Sequence, residues 1–258
     1  MSRLLLTRRG LVAGSASLGG LLLAGCDRLS NSPSFQSFIG HGEDLTFASQ
    51  RLLLAGQPLA HEFAPSQISR VFRVNGTAAP TSDEYQALLA GGFSAWRLYV
   101  EGLVRRPMSF SLADLEAMAS RTQITRHDCV EGWSCIGGWT GVQLSRVLER
   151  VGVAPKARYA VFRCADELEA TLDASGVYYE SIDLFDAFHP QTILAYALNG
   201  RPLEVGHGAP LRLRVERQLG YKQAKYVMRI QLVDRLDNIA GGKGGYWEDR
   251  GYEWYAGI

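Results

Sequence analysis

Hydrophobic and polar positions alternate most clearly in the second half of the chain. The stretch Trp96-Arg-Leu-Tyr-Val-Glu-Gly102 alternates with aromatic and β-branched residues, and this predicts a strand. Ser111 followed by Asp114 has the form of a capping box, and the next residues put Leu112, Leu115 and Met118 on one helical face. "TQITRHDCV" predicts a strand that delivers Cys129 at its end. Leu144, Val147, Leu148 and Val151 recur at helical spacing, and Gly152 closes that helix. "YAVFRCA" predicts a strand with "LEATLDA" as its neighbour, and "TILAYALNGRPL" runs into the turn signal Asn199-Gly200. "PLRLRVE" and "AKYVMRIQLVD" complete the strands. Strands and short helices mix without a βαβ repeat, which favours an α+β body.

The first residues follow another pattern. "MSRLLLTRRGLVAGSASLGGLLLAGC" has three arginines, no acid and a mild apolar run, the layout of an export signal. Thr7-Arg8-Arg9-Gly10-Leu11-Val12 resembles a twin-arginine signal; a general secretory signal is the plainer reading. Leu23-Ala24-Gly25-Cys26 has the form of a lipobox, which predicts loss of residues 1–25 and acylation of Cys26; the alternative is a plain cut nearby. Asp27, next in the chain, resembles an inner-membrane retention signal. Residues 26–69 form a polar tether and an N-terminal arm, with one short helix near 46–55, and 70–258 form the functional domain.

Composition excludes more than it assigns. The chain has 258 residues, 47% hydrophobic, and a net charge of +1, which gives no overall signal for nucleic acid. Loss of residues 1–25 leaves 24 basic against 26 acidic side chains. No stretch after residue 30 is apolar enough to span a bilayer, so a membrane is reached through the lipid alone.

Chemistry concentrates around "RHDCVEGWSCIGGW", where Cys129 stands among a base, an imidazole, carboxylates and tryptophans. The four cysteines lack the closely spaced pairs that structural zinc prefers. A Cys135–Cys164 disulfide and a cysteine nucleophile served by His189 or His207 stay open. The remaining reading is a thiolate ligand to a soft metal whose other ligands come from a cofactor. Such a cofactor needs an anchorage, and residues 201–229 offer one. Arg201, Arg212, Arg214, Arg217, Lys222, Lys225 and Arg229 face only Glu204 and Glu216, with Gly206, Gly208 and Gly220 permitting close backbone approach. Arg214 and Arg229 are assigned to solvated strand faces.

These stretches, in this order, resemble the molybdopterin-binding domain of the sulfite oxidase family over residues 70–258. The resemblance rests on "WRLYVEGLVRRPMSFSLADLEAM", "CVEGWSCIGGWTGVQLSRVLERVG", "LAYALNGRPLEVGHGAPLRLRV", "GYKQAKYVMRIQLVD" and "GYWEDRGY". It implies the family's fold of mixed sheets and short helices, with Mo-molybdopterin as cofactor and Cys129 as the protein ligand to molybdenum. It also implies cofactor contacts from His207, Arg212, Gln223, Ala224 and Lys225, from Asn75 in "FRVNGTAAP", and from Tyr85. Cys164 falls where relatives carry a threonine near the cofactor, which leaves its role open.

The family's sulfite oxidases follow the metal cysteine with arginines, whereas here Val130-Glu131-Gly132-Trp133-Ser134 follows. An acid and an indole receive a dianion poorly. The pattern resembles the exported bacterial branch, which implies oxygen-atom transfer at a small sulfoxide-type substrate. Arg121, Arg126 and Arg250 are candidates to fold over the site, so sulfite oxidation with a cytochrome acceptor stays open, as does a non-catalytic binding lipoprotein. Trp133, Trp247, Trp254, Tyr252 and Tyr255 form either an apolar rim or ordinary packing. The haem-attachment pattern C-x-x-C-H is absent, so electrons pass through a separate protein, a membrane haem subunit or a soluble cytochrome. The expected location is the periplasmic side of the inner membrane, or the soluble periplasm.

Overall fold

A computed structural model describes residues 32–171 and 175–258, and the chain divides into two units at Gly56/Gln57. The expected signal and Cys26 lie outside the described residues. In the first unit, α1 (Pro33–Leu53) begins inside the stretch read as a tether. Ser32 caps it by accepting from the Phe35 amide at 3.2 Å, and Pro33 occupies the first turn, where a missing N–H costs nothing. No helix of the described residues is long and apolar enough to cross a membrane.

The second unit, Gln57–Ile258, holds two five-stranded sheets. The first orders its strands β2-β1-β10-β5-β6: β1 is Leu98–Gly102, β2 Met108–Phe110, β5 Tyr159–Glu167, β6 Val177–Asp183 and β10 Val227–Val233. Its β1–β10 pair is parallel, joining strands 125 or more residues apart in the chain (Tyr99 opposite Arg229). The second runs β3-β4-β7-β8, with β9 also on β7: β3 is Ser120–Asp128, β4 Ser134–Gln143, β7 Ile193–Leu198, β8 Arg201–Pro202 and β9 Arg212–Arg214. The short helices are α2 (Asp83–Ala90), α3 (Leu112–Glu116), α4 (Leu144–Val151) and α5 (Leu184–Ala187). The larger core sets Trp96, Leu98 and Val100 against the apolar face of α4 and against Val161, Ile230 and Leu232. A smaller one gathers Phe72, Cys135, Trp139, Ile193 and Ala195.

The capping box at Ser111–Asp114, the Gly152 stop at φ +70° and the Asn199-Gly200 turn, with φ +51° and +76°, form as the sequence predicts. The described part of "LEATLDA", Leu168 to Thr171, is irregular rather than a strand, and the neighbour of β5 is β6 instead. β4, with ten residues, is the longest strand among the described residues despite its glycines. They are required there, because a Cβ at Gly141 would lie 2.2 Å from the Leu194 carbonyl oxygen and one at Gly137 would lie 2.9 Å from Phe72 and Leu198.

Candidate active site

β3 ends at Asp128, and the five residues that follow fold into a tight loop. The Cys129 amide donates to the Trp133 carbonyl at 2.9 Å and the Gly132 amide to the Cys129 carbonyl at 3.0 Å, with Gly132 at φ +85°. The loop holds the Cys129 side chain, half-buried, on the wall of a cavity of about 180 Å3. Burial first, then the Glu131 carboxylate, raises the Cys129 thiol above its ordinary value, so by itself this sulfur is a poor nucleophile at neutral pH. Cys129, Cys135 and Cys164 are all free, so the open disulfide between the last two is not formed.

The cavity gathers residues from four distant parts of the chain. Asn75, Gly76 and Thr77 come from the N-terminal arm, and Asp166 and Tyr178 from the facing ends of β5 and β6. Gly220, Tyr221, Gln223 and Lys225 come from the basic half, and Trp247 and Tyr252 from the C-terminal segment. Of the residues expected at a cofactor, Asn75, Cys129, Gln223 and Lys225 therefore line it directly. Arg212 stands immediately behind: fully buried, it donates to Asn75 Oδ1 and to the His207 carbonyl, each at 3.3 Å, and lies over the Trp139 ring. His207 turns to the arm instead, with Nε2 3.1 Å from the Phe72 carbonyl oxygen. Tyr85 is also away from the wall, donating to the Ala209 carbonyl at 2.7 Å and packing on Tyr226. Cys164 is buried beside Asp166, and Ala224 contributes backbone, its carbonyl accepting from Leu213.

Two assignments change. Arg214 is not on a solvated face: it is fully buried, bonds Glu216 through two nitrogens at 2.9 and 2.6 Å, and donates from Nη1 to His127 Nδ1 at 3.0 Å. The alternation that predicted exposure fails because both faces of β9 are covered. Lys222, taken as part of the anion-binding set, is fully buried between Glu180 and Glu248 and spends its charge there. Arg229 does lie on a half-exposed face, paired with Glu101. Asp166, Tyr178 and Thr77 escaped sequence reasoning, since nothing in "RCADELEA" marks a single acid as buried.

Electrostatics give the cavity its character. Burial, with Arg212 close by, pulls the Lys225 ammonium down to about 7, and burial with Arg214 pulls the Arg212 guanidinium down to about 9. Burial pushes the Asp166 carboxyl up to about 6. Several buried polar atoms have no hydrogen-bond partner, among them Arg212 Nε, Asp166 Oδ1 and Gln223 Oε1. Crowded cations and unmatched donors and acceptors around one cavity are what a polar, anionic ligand would satisfy. The mouth is different. Val130 and Tyr252 are exposed there, and Tyr252 stacks on Trp247 with ring centroids 5.3 Å apart. Trp133 packs on His127, and Trp254 bonds Ser181, so these two do not form the rim. The three arginines expected to fold over the site are engaged elsewhere: Arg121 with Glu62, Arg126 with Asp128, and Arg250 with Glu169 and the Tyr246 ring.

Comparison with known proteins identifies the family. Residues 88–238 match the family described as oxidoreductase molybdopterin binding domain. A putative protein-methionine-sulfoxide reductase subunit YedZ1 of Azospira oryzae is 37% identical over 97% of this chain and 87% of its own length. The protein-methionine-sulfoxide reductase catalytic subunit MsrP of Xanthomonas axonopodis is 38% identical over 57% of this chain, and this chain spans about half (48%) of that relative. Among solved structures, the sulfane dehydrogenase SoxCD of Paracoccus pantotrophus superposes on 55% of this chain and 39% of its own with a TM-score of 0.49 and 24% identity, too partial to bear on the assignment. The chain belongs to the oxidoreductase molybdopterin-binding family, as a molybdenum-dependent oxidoreductase of the sulfite oxidase type that uses Mo-molybdopterin.

Proposed function

We propose that this protein reduces a sulfoxide-type substrate by oxygen-atom transfer, with Cys129 as the protein ligand to molybdenum. The observation that carries the reading is the cavity itself: one thiol on its wall, cations behind it, and an apolar mouth without a free arginine. Among the described residues no group of three or more His, Cys, Asp and Glu could hold a metal ion, so a metal at Cys129 takes its other ligands from the cofactor.

The residues present fit that group. Arg212 Nε, unpartnered and buried, and Lys225, crowded by like charge, suit the cofactor's anionic tail; the backbone of Gly220 to Lys225 suits its close approach. When bound, the cofactor supplies the two-electron oxygen-atom transfer. The chain does the rest. Cys129 would hold the metal, while Val130, Trp247 and Tyr252 offer apolar contact to the substituents on substrate sulfur and keep bulk water from them. Engagement of Arg121, Arg126 and Arg250 with carboxylates leaves a sulfite dianion without a receiver, which favours the neutral substrate. The MsrP and YedZ1 relatives carry sulfoxide reduction in their names, which supports the same reading.

The net reaction takes two protons and two electrons and yields a thioether and water. The electrons come from a separate electron-transfer protein, a membrane haem subunit or a soluble cytochrome, and the "subunit" in the relatives' names agrees with a partner. The twin-arginine pattern and the lipobox at Cys26 support an exported protein, lipid-anchored on the periplasmic side of the inner membrane. Turnover with sulfoxides, N-oxides and sulfite, using a dye as electron carrier, tests the proposal. Sulfoxides should reoxidise the reduced dye; turnover with sulfite alone would replace the proposal with sulfite oxidation.

A further inference from the structure

Arg214 is a fully buried cation that neither the cavity lining nor the reaction accounts for. Its guanidinium can donate hydrogen bonds but cannot accept them. Its Nη1 lies 3.0 Å from His127 Nδ1, so that ring nitrogen must be the acceptor. This excludes both the imidazolium and the tautomer protonated at Nδ1, and places the ring proton on Nε2. His127 Nε2 is buried and has no hydrogen-bond partner; nor has Gln223 Oε1, on the loop side chain that interacts with His127. The amide nitrogen of Gln223 is fixed on the Gln218 carbonyl at 3.1 Å, which leaves the oxygen to face the imidazole.

The approach depends on Gly220. A Cβ there would meet His127 Nε2 and Cε1 at 2.6 Å, so the ring occupies the space that any other residue at 220 would fill. Behind Arg214, Glu216 accepts two of its bonds and also accepts from Gln123 Nε2 at 2.9 Å, which ties the hub back to β3. The Trp139 ring stacks 4.3 Å from the guanidinium carbon and closes the remaining side.

We propose that Arg214 is a positioning residue: by locking His127 in its Nε2–H tautomer, it makes the imidazole the fixed link between the strand that presents Cys129 and the Gly220–Lys225 cofactor loop. The link sets where the sulfur stands relative to the groups that grip the cofactor. Its value for the cofactor rests on the reading of this cavity as the molybdopterin site; the tautomer does not.

Nitrogen-15 NMR of histidine-labelled holoenzyme reads the tautomer directly, since the chain has only five histidines and His127→Gln assigns the signal. His127 should show a protonated Nε2 and a bare Nδ1; a protonated Nδ1 overturns the proposal. The second measurement is pterin and molybdenum retained after dialysis. Arg214→Lys should lower retention about tenfold or more. It should do so much less in a His127→Gln background, where the glutamine amide supplies the donor without a tautomer to fix. Equal losses in both backgrounds would make Arg214 a packing residue only and overturn the positioning role. A wild-type holoenzyme preparation that never contains pterin would instead defeat the cofactor reading, with the tautomer still measurable. Should Arg214→Lys fail to fold, the wild-type tautomer and His127→Ala decide the matter: His127→Ala should lower retention about tenfold or more, and retention at the wild-type level would overturn the positioning role.

Discussion

Arg212 Nη2 and Asn75 Oδ1 meet at 3.3 Å, joining residues 137 positions apart in the chain and fastening the N-terminal arm to the basic half of the site. Arg212 also lies over Trp139 and keeps its buried Nε without a hydrogen-bond partner. Arg212→Ala should therefore lower molybdopterin content and loosen the arm together. Charge-assisted hydrogen bonds contribute about 1.5–3 kcal/mol, so cofactor affinity should fall about 10- to 100-fold. Arg212→Lys should restore the charge without the fork and recover little. Pterin released on denaturation measures content, and hydrogen exchange at residues 70–80 measures the arm.

Cofactor-free protein should be weakest just below neutral pH. Lys225 falls from its ordinary 10.5 to about 7, so the unfolded chain binds the extra proton between those values; the stability this gives is present above 10.5 and is lost as pH falls through 7. Asp166 rises from 3.8 to about 6, so its contribution is present below 3.8 and is lost as pH rises through 6. Together they produce a minimum between about 6 and 7. Melting curves should show it for the cofactor-free form, flattened in Lys225→Met with Asp166→Asn. A profile unchanged by that double substitution would show that these groups do not set it.

The Lys222 ammonium is sealed between Glu180 and Glu248, the latter contact 2.5 Å long, with no exposure of any of the three side chains. Removing one partner of a buried ion network leaves charge stranded, at a cost of about 3–5 kcal/mol. Lys222→Met should lower the denaturation midpoint accordingly. Lys222→Met combined with Glu180→Gln should recover part of the loss. If the single substitution is neutral in urea titration, the network is not holding the wall formed by Tyr221 and Trp247.

The lipobox pattern Leu23-Ala24-Gly25-Cys26 predicts acylation at Cys26. Intact mass of membrane-extracted protein should give a chain beginning at lipid-modified Cys26, and Cys26→Ala should release it to the soluble fraction. An unmodified start elsewhere would count against the anchor.

Much of the fold could be read from local signals, because they are local in cause. The Ser111 box, the Asn199-Gly200 turn and the α4 stripe each depend on a few adjacent residues. β4 escaped notice because glycines weaken strand propensity, and their reason, the approach of Phe72 and the Leu194 backbone, lies in other segments. Leu168 to Thr171 of "LEATLDA" misled for the converse reason: alternation without a partner strand to pair with carries no sheet. At the site, Cys129, Gln223 and Lys225 stand out by type and context. The burial of Arg214 and Asp166 is set by tertiary packing alone, and alternation of charge along β9 disguised the first.

The central claim is that the Cys129 thiolate holds molybdenum at this cavity. X-ray absorption at the molybdenum edge, comparing wild type with Cys129→Ser, tests it most directly. A hard hydroxyl replaces a soft sulfur poorly. The variant should show one fewer sulfur around molybdenum and turnover abolished or severely reduced, with pterin retained by Arg212 and Lys225. Cys135→Ser and Cys164→Ser should leave the sulfur count unchanged. The same sulfur count and full turnover in Cys129→Ser would contradict it.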